Sequence, residues 1–136
     1  MPKVKKDPRH QRRRKTVQSL FAWSLNKTTE LTPLAKKIIR KAKKIDQLIS
    51  ESAPRWPLEK INRTDLAILR LAIYELSYTP EIPDKVAIDE AVELAKEFGS
   101  ENSSGFVNGA LGAVYHKLRS VEKTDVEKDQ VKNEKD

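Results

Sequence analysis

The amino-acid sequence predicts an all-α fold organised around one buried central helix. Apolar residues recur at steps of three and four in five segments, and no segment shows the alternating pattern of a strand. One segment, residues 62–78 (NRTDLAILRLAIYELSY), carries too few charges for a surface helix with a polar side. Within it Asp65, Arg70 and Glu75 are five positions apart, so each is turned by about 140° from the last. Neighbouring helices must therefore cover this helix on most sides.

The excess positive charge is concentrated at one end of the chain. The 136 residues carry 27 Lys and Arg against 20 Asp and Glu, a net charge of +7. Residues 1–15 alone hold eight of the bases and one acid, so the rest of the chain is neutral overall. The length fits one domain with tails. We place a flexible basic arm at residues 1–8, the domain at residues 9–121 and a disordered charged tail at residues 122–136.

The composition argues against several classes of protein. The chain has no cysteine, and its two histidines, His10 and His116, are isolated, so a metal site or disulfide framework is not expected. No Gly-rich phosphate loop, nucleophile elbow or carboxylate–histidine cluster is present, which predicts a protein without enzymatic activity or cofactor. No apolar run is long enough to span a membrane, which predicts a soluble, cytoplasmic protein.

The first predicted helix starts near Arg9 and combines a basic half with an apolar half. Its apolar stripe predicts that only the second half is anchored to the core, the stripe being Val17, Leu20, Phe21 and Leu25. The basic half is expected to project from the domain. Arginine forks suit phosphate and base contacts, so this segment predicts a nucleic-acid site. A solvated basic tail is the alternative interpretation.

The second predicted helix starts at Thr32 and Pro33, a common cap and first-turn pair, and runs to about Ser50. One face is apolar, with Leu34, Ile38, Ala42, Ile45 and Ile49. The opposite face is basic, with Lys36, Lys37, Arg40, Lys41, Lys43 and Lys44. A solvated surface is the simpler interpretation of these bases, although they could extend a nucleic-acid footprint.

Prolines break the chain before the central helix, around Trp56, where the sequence predicts a turn that caps the core. Asn62 is the expected N-cap of the central helix, with Asp65 in its first turn. A further amphipathic helix is predicted over residues 84–98, ending at Gly99, with an acidic outer face that lies away from nucleic acid or against a basic protein.

A last helix is predicted to run to about Val121, with an apolar stripe and a second stripe of small residues. Because glycine destabilises a helix interior, Gly105, Gly109 and Ala113 predict a close approach to a neighbouring helix.

Three blocks of sequence resemble one known family. RRRKTVQSLFAW, WPLEKINRTDLAILRLAIYEL and IPDKVAIDEAVELAKEFGSENSSGFVNGAL are similar to the NusB family of bacterial transcription antitermination factors, over roughly residues 9–118. The resemblance implies an all-helical bundle of two small subdomains around the central buried helix. It also implies binding of boxA-type, single-stranded RNA of ribosomal RNA leaders together with NusE, a small-subunit ribosomal protein, in an elongation complex with RNA polymerase. Some members of the family are thought to form homodimers.

The resemblance also implies which residues form the sites. The RNA-binding residues it implies are Arg9, Arg12, Arg13, Arg14, Gln18, Lys85, Asn102 and Ser103. The partner-binding residues it implies are Asp65, Arg70, Tyr74, Glu75 and Glu101. Asn102 stands where the family commonly has Asp, and Gly105 where a base is common, which weakens the RNA assignment at that turn.

Two alternatives to an antitermination factor stay open at the level of sequence. One is the same fold used as an RNA-recruiting module linked to ribosomal RNA modification. The other is a protein-interaction module whose N-terminal segment is merely basic.

Overall fold

The computed structural model describes residues 7–52 and 55–135, with side chains as far as Ser120. The regular secondary structure of these residues is entirely helical, with no strand among them. The helices are α1 (Pro8–Leu25), α2 (Pro33–Arg40), α3 (Ala42–Ser52), a short 3-10 helix (Leu58–Lys60), α4 (Arg63–Tyr78), α5 (Asp84–Phe98) and α6 (Ser103–Lys135). The predicted all-α class is confirmed.

Helix α4 is the centre of the bundle, as its sequence predicts. It contacts α1, α2, α3, α5 and α6. Nine of its side chains are buried, including Asp65 and Glu75. Its start is fixed by Asn62, whose Oδ1 accepts hydrogen bonds from the backbone N–H groups of Thr64 and Asp65 at 2.8 and 3.4 Å. Around α4, α5 packs against α6, α1 against α2 and α2 against α3, while α3 also contacts α6.

The second predicted helix is two helices in the structure. The chain breaks at Lys41, whose φ of −105° and ψ of 5° are not helical and whose backbone N–H bonds to the carbonyls of Ile38 and Ile39. The prediction of one helix to Ser50 was wrong because the apolar stripe keeps helical spacing through the break and no Gly or Pro marks it. Both helices pack on α4, with Ile38 and Ile45 fully buried.

The glycines near α6 have different roles from those predicted. Cβ atoms added at Gly105, Gly109 and Gly112 would meet nothing within 4 Å, so the predicted close approach to a neighbouring helix was wrong within the described structure. Gly99 is the position that needs the absence of a side chain, since a Cβ there would clash with the side chain of Ser103. Its φ is −90°, so close packing rather than a left-handed backbone explains this glycine.

Helix α6 continues beyond Val121, where the apolar stripe predicted its end, to Lys135. The side chains from residue 121 onward, and residues 1–6, lie outside the described part of the structure. The flexible basic arm at residues 1–8 therefore stays a prediction, except that Pro8 is already the first residue of α1. The tail predicted to be disordered from residue 122 onward has a helical backbone as far as Lys135.

We expect Leu69→Ala to lower the free energy of unfolding by about 2–5 kcal/mol, because Leu69 is fully buried in α4 and the change leaves a cavity. Leu25→Ala is the matched control, since 61% of Leu25 is exposed and its removal should change stability by only about 0.5 kcal/mol. Urea unfolding of both variants measures the difference. Equal destabilisation of the two variants would show that α4 is not the centre of the core.

Candidate nucleic-acid interface

The start of α1 is fixed by Asp7, the residue before its first turn. The Asp7 carboxylate accepts a hydrogen bond of 2.8 Å from the backbone N–H of Arg9, and Pro8 occupies the first helical position. That hydrogen bond lowers the pKa of Asp7, because it stabilises the charged carboxylate. Helix α1 therefore begins within the basic segment.

The inner face of α1 is docked along its whole length. His10, Arg13, Thr16, Val17 and Leu20 are all buried. The expectation that the basic half projects from the domain was wrong. The prediction failed because the bases on the inner face of α1 pair with acidic residues of α4 and α5. The spacing of residues along α1 does not reveal these pairs.

The central contact of this face is a buried ion pair. Arg13 Nε lies 3.2 and 3.0 Å from the two carboxylate oxygens of Glu75 on α4. Only 6% of Arg13 and 5% of Glu75 are exposed. Burial raises the pKa of Glu75, while the charge and hydrogen bond of Arg13 act in the opposite direction. Because they are buried and paired with each other, Arg13 and Glu75 cannot contact RNA or a partner protein in this conformation.

A second layer of contacts joins α1 to the acidic face of α5. His10 Nδ1 lies 2.8 Å from Glu90 Oε2, and His10 Nε2 lies 3.6 Å from Glu97 Oε2. Arg14 Nε lies 2.6 Å from Glu97 Oε1. The Arg14 guanidinium is also 5.5 Å from the ring centre of Phe98. The outer face of α5 was predicted to lie away from nucleic acid or against a basic protein. Part of it instead neutralises bases of the same chain.

The outer face of α1 keeps its basic residues exposed. We call Arg9, Arg12, Lys15 and Gln18, which follow one another at steps of three, the α1 basic face. Arg12 and Lys15 line a groove of about 560 Å³ together with Thr32, Pro33 and Leu34 at the start of α2. Guanidinium and ammonium groups beside an open groove can bind phosphates. Lys15 was missing from the predicted site, although its spacing from Arg12 could have indicated it.

The other predicted RNA-binding residues lie apart from this face. Lys85 is exposed on α5 and 3.0 Å from Asp89. Asn102 is exposed just before α6. Ser103 is buried, and its Oγ accepts a 2.8 Å hydrogen bond from the backbone N–H of Ser100. The Ser103 hydroxyl thus holds the turn between α5 and α6. Because it is buried, it cannot contact RNA in this conformation.

The predicted partner-binding residues differ in their contacts and in their exposure. Arg70 makes two hydrogen bonds to Asp46 on α3, at 3.0 and 2.9 Å. Tyr74 is half-buried, with its ring 5.3 Å from that of Tyr78. Asp65 and Glu75 are buried, and only Glu101 is exposed. These five residues do not form one continuous surface.

The described residues hold no group of three or more His, Cys, Asp or Glu side chains arranged to bind a metal ion. Among them, too, no helix is long and apolar enough to cross a membrane.

Comparison with known proteins agrees with this architecture. The family model described as the NusB family matches residues 28–116. The chain belongs to the NusB family. The matched region includes α4 and α5 and the start of α6.

Individual NusB proteins are similar to different lengths of the chain. The transcription antitermination protein NusB of Myxococcus xanthus is 56% identical over 70 residues, which are 52% of this chain and 50% of that protein. Its counterpart in Acetivibrio thermocellus is 39% identical over 82% of this chain and 76% of its own length. Some alignments thus span about half of the relative and others most of it.

Solved NusB structures share the fold. A T. maritima NusB structure superposes with a TM-score of 0.71 at 32% identity, covering 80% of this chain and 91% of that chain. A structure of the antitermination factors NusB and NusE in complex with double-stranded RNA gives a TM-score of 0.67 at 22% identity, covering 80% and 96%. The helical bundle is therefore the NusB fold.

We expect Glu75→Ala to lower the free energy of unfolding by about 3–5 kcal/mol, because it leaves the buried charge of Arg13 without a partner. The double variant Arg13→Met/Glu75→Leu removes both charges and should recover most of that stability. Urea unfolding of the wild type, Arg13→Met, Glu75→Leu and the double variant gives the coupling energy. Strictly additive effects would show that the two residues do not act as a pair.

The raised pKa of Glu75 predicts a pH dependence of stability. A carboxyl whose pKa is higher in the folded than in the unfolded state stabilises the fold at acidic pH, and this contribution is lost as the pH rises through the folded value. Relative to Glu75→Gln, which does not titrate, the wild type should decrease in melting temperature as the pH rises above 4.5, the ordinary pKa of a glutamate carboxyl. All other titrating groups are common to both proteins. A difference that stays constant with pH would contradict the assigned shift.

Proposed function

We propose that this chain is a non-enzymatic, RNA-binding transcription antitermination factor. In this proposal it binds boxA-type RNA of ribosomal RNA leaders together with the ribosomal protein NusE and promotes read-through by RNA polymerase. The observation that carries the proposal is the α1 basic face, which remains exposed beside a groove while the inner bases of α1 are neutralised by α4 and α5. Membership of the NusB family supports the same role.

The names of the relatives support the assignment to transcription. The similar proteins of M. xanthus and A. thermocellus are both called transcription antitermination protein NusB. One structural neighbour holds NusB and NusE with double-stranded RNA. We propose that the predicted RNA-binding residues Arg9, Arg12 and Gln18, which are exposed on α1, act in this chain, together with Lys15. Asn102 and Lys85, which are exposed but lie apart from the α1 basic face, are proposed as further RNA contacts, and Glu101 is the exposed candidate for contact with NusE.

The α1 basic face should account for most of the salt dependence of RNA binding. Replacing Arg9, Arg12 and Lys15 with Gln should weaken binding of a boxA-type single strand. It should also flatten the plot of log affinity against log salt by about 0.7 for each phosphate that is no longer neutralised. Because all three side chains are exposed, the melting temperature should change little. Titration of fluorescently labelled RNA at several salt concentrations makes the measurement.

A matched control separates a local site from general charge. The triple variant of Lys27, Lys60 and Lys96 to Gln removes the same charge from exposed positions outside the α1 basic face. Its salt slope should stay close to that of the wild type. Adding NusE should raise the affinity of the wild type for boxA-type RNA more than for a scrambled sequence. Equal effects of both triple variants, or no effect of NusE, would overturn the proposed function.

A further inference from the structure

Six exposed bases on α2 and α3 make no ion pair with the side chains that the structure describes. We call them the α2–α3 basic face, and they are Lys36, Lys37, Arg40, Lys41, Lys43 and Lys44. The only acid within residues 31–50 is Asp46, and both of its carboxylate oxygens accept hydrogen bonds from Arg70 on α4. Asp46 is therefore occupied elsewhere, and the face keeps its positive charge.

The stability of the helices does not explain where these bases lie. Lys37 and Arg40 are in the last turn of α2, where the helix dipole favours positive charge. Lys43 and Lys44, by contrast, are in the first turn of α3, which contains no acid and where the dipole disfavours a base. Like charges one turn apart, such as Lys36 and Arg40, also repel each other. A bound polyanion relieves both unfavourable effects.

The α2–α3 basic face continues from the groove beside the α1 basic face. Pro33, at the start of α2, lines that groove together with Arg12 and Lys15. At helical spacing, the side of α2 that carries Pro33 also carries the three bases of α2. From Pro33 to Lys44 the chain covers about 17 Å at the rise of an α-helix. A strand that lies in the groove therefore has further positive charge ahead of it along α2.

An exposed aromatic ring borders the face where α2 meets α3. Tyr78, the last residue of α4, is 37% exposed, and the Lys41 ammonium lies 5.0 Å from the centre of its ring. Sites for single-stranded nucleic acid combine bases that follow the phosphates with aromatic rings on which nucleobases stack. A duplex keeps its nucleobases stacked inside, and an acidic protein has none. The ring beside the bases thus favours a single strand as the partner.

We propose that the α2–α3 basic face binds single-stranded RNA that flanks the segment held at the α1 basic face. The lysines contact phosphates without reading the sequence, and one nucleobase stacks on Tyr78. Lysine suits this use because its ammonium is a point charge on a flexible stem, whereas the arginine fork also suits base edges. The inference rests on the proposed RNA binding and extends the bound RNA along α2.

Lengthening the RNA tests the proposal. A boxA-type single strand is compared with the same strand carrying about eight uridines at each end, which is long enough to follow α2 at about 3.4 Å per stacked nucleotide. The wild type should bind the extended RNA at least about fivefold more tightly at low salt. Its plot of log affinity against log salt should be steeper by about 0.7 for each added phosphate contact. Titration of fluorescently labelled RNA measures both.

Two triple variants of equal charge show whether the gain belongs to this face. Changing Lys36, Lys43 and Lys44 to Gln should abolish the gain from the uridines and leave binding of the short RNA unchanged. The melting temperature should not fall, because the three side chains are exposed. The matched control should keep the full gain, and it changes three exposed lysines outside both basic faces to Gln, namely Lys27, Lys60 and Lys96.

An abasic extension separates stacking from charge, since it keeps the phosphates but has no nucleobases. Tyr78→Leu should reduce the gain from the uridines and leave the gain from the abasic extension unchanged. Tyr115→Leu is the matched control, because Tyr115 is also 37% exposed but lies on α6, and it should alter neither gain.

Four results would overturn the inference. They are equal binding of short and extended RNA, equal effects of the two triple variants, a fall in melting temperature on changing the face, and no effect of Tyr78→Leu. It would also fail if a duplex extension gave the same gain, or if oligo-glutamate competed as well as oligo-uridine of equal charge. The last result would indicate an acidic protein as the partner.

The short RNA distinguishes failure of this inference from failure of the proposed function. If its binding depends on the α1 basic face, the proposed function stands even when the extension adds nothing. If its binding is insensitive to changes at the α1 basic face, the proposed function itself fails.

Discussion

The arrangement of the bundle depends on the buried ion pair between Arg13 and Glu75. Two charges removed from water are tolerated only when they are paired with good geometry, so the pair fixes both the rotation and the height of α1 on α4. With Arg13 in this position, His10 lies beside Glu90 of α5 and Arg14 beside Glu97. One interaction therefore holds three helices in register, at the end of the chain where positive charge is most concentrated.

This pairing divides the basic residues of α1 into two groups with different uses. The inner group is neutralised by acids of the same chain and stabilises the position of the helix. The outer group, the α1 basic face, has no comparable burial and stays available beside the groove formed with α2. A polyanion approaching this part of the chain thus meets bases that a rigid helix holds in place. Rigid placement reduces the ordering cost of binding.

The three charged residues spaced along α4 show how one buried helix serves several purposes. Glu75 pairs with α1 and Arg70 pairs with α3, so two of the three charges hold neighbouring helices. Asp65 differs from them, because one of its oxygens is buried beside a cavity without a partner among the described residues. Packing accounts for the first two residues. No hydrogen bond to a described residue accounts for the buried oxygen of the third.

The sequence by itself determined the all-α class, the bounds of α4 and α5, the Asn62 cap and the covering of α4 on most sides. These features depend on helix propensity and on helical spacing, which residues close in sequence determine. The break at Lys41 was decided only in the tertiary structure, because the apolar spacing on either side of it fits one continuous helix. The same holds for the division of the α1 bases and for the meeting of Asp65 with Asn102 at one cavity. Each depends on which residues, distant in sequence, pack opposite one another, and no local pattern encodes that.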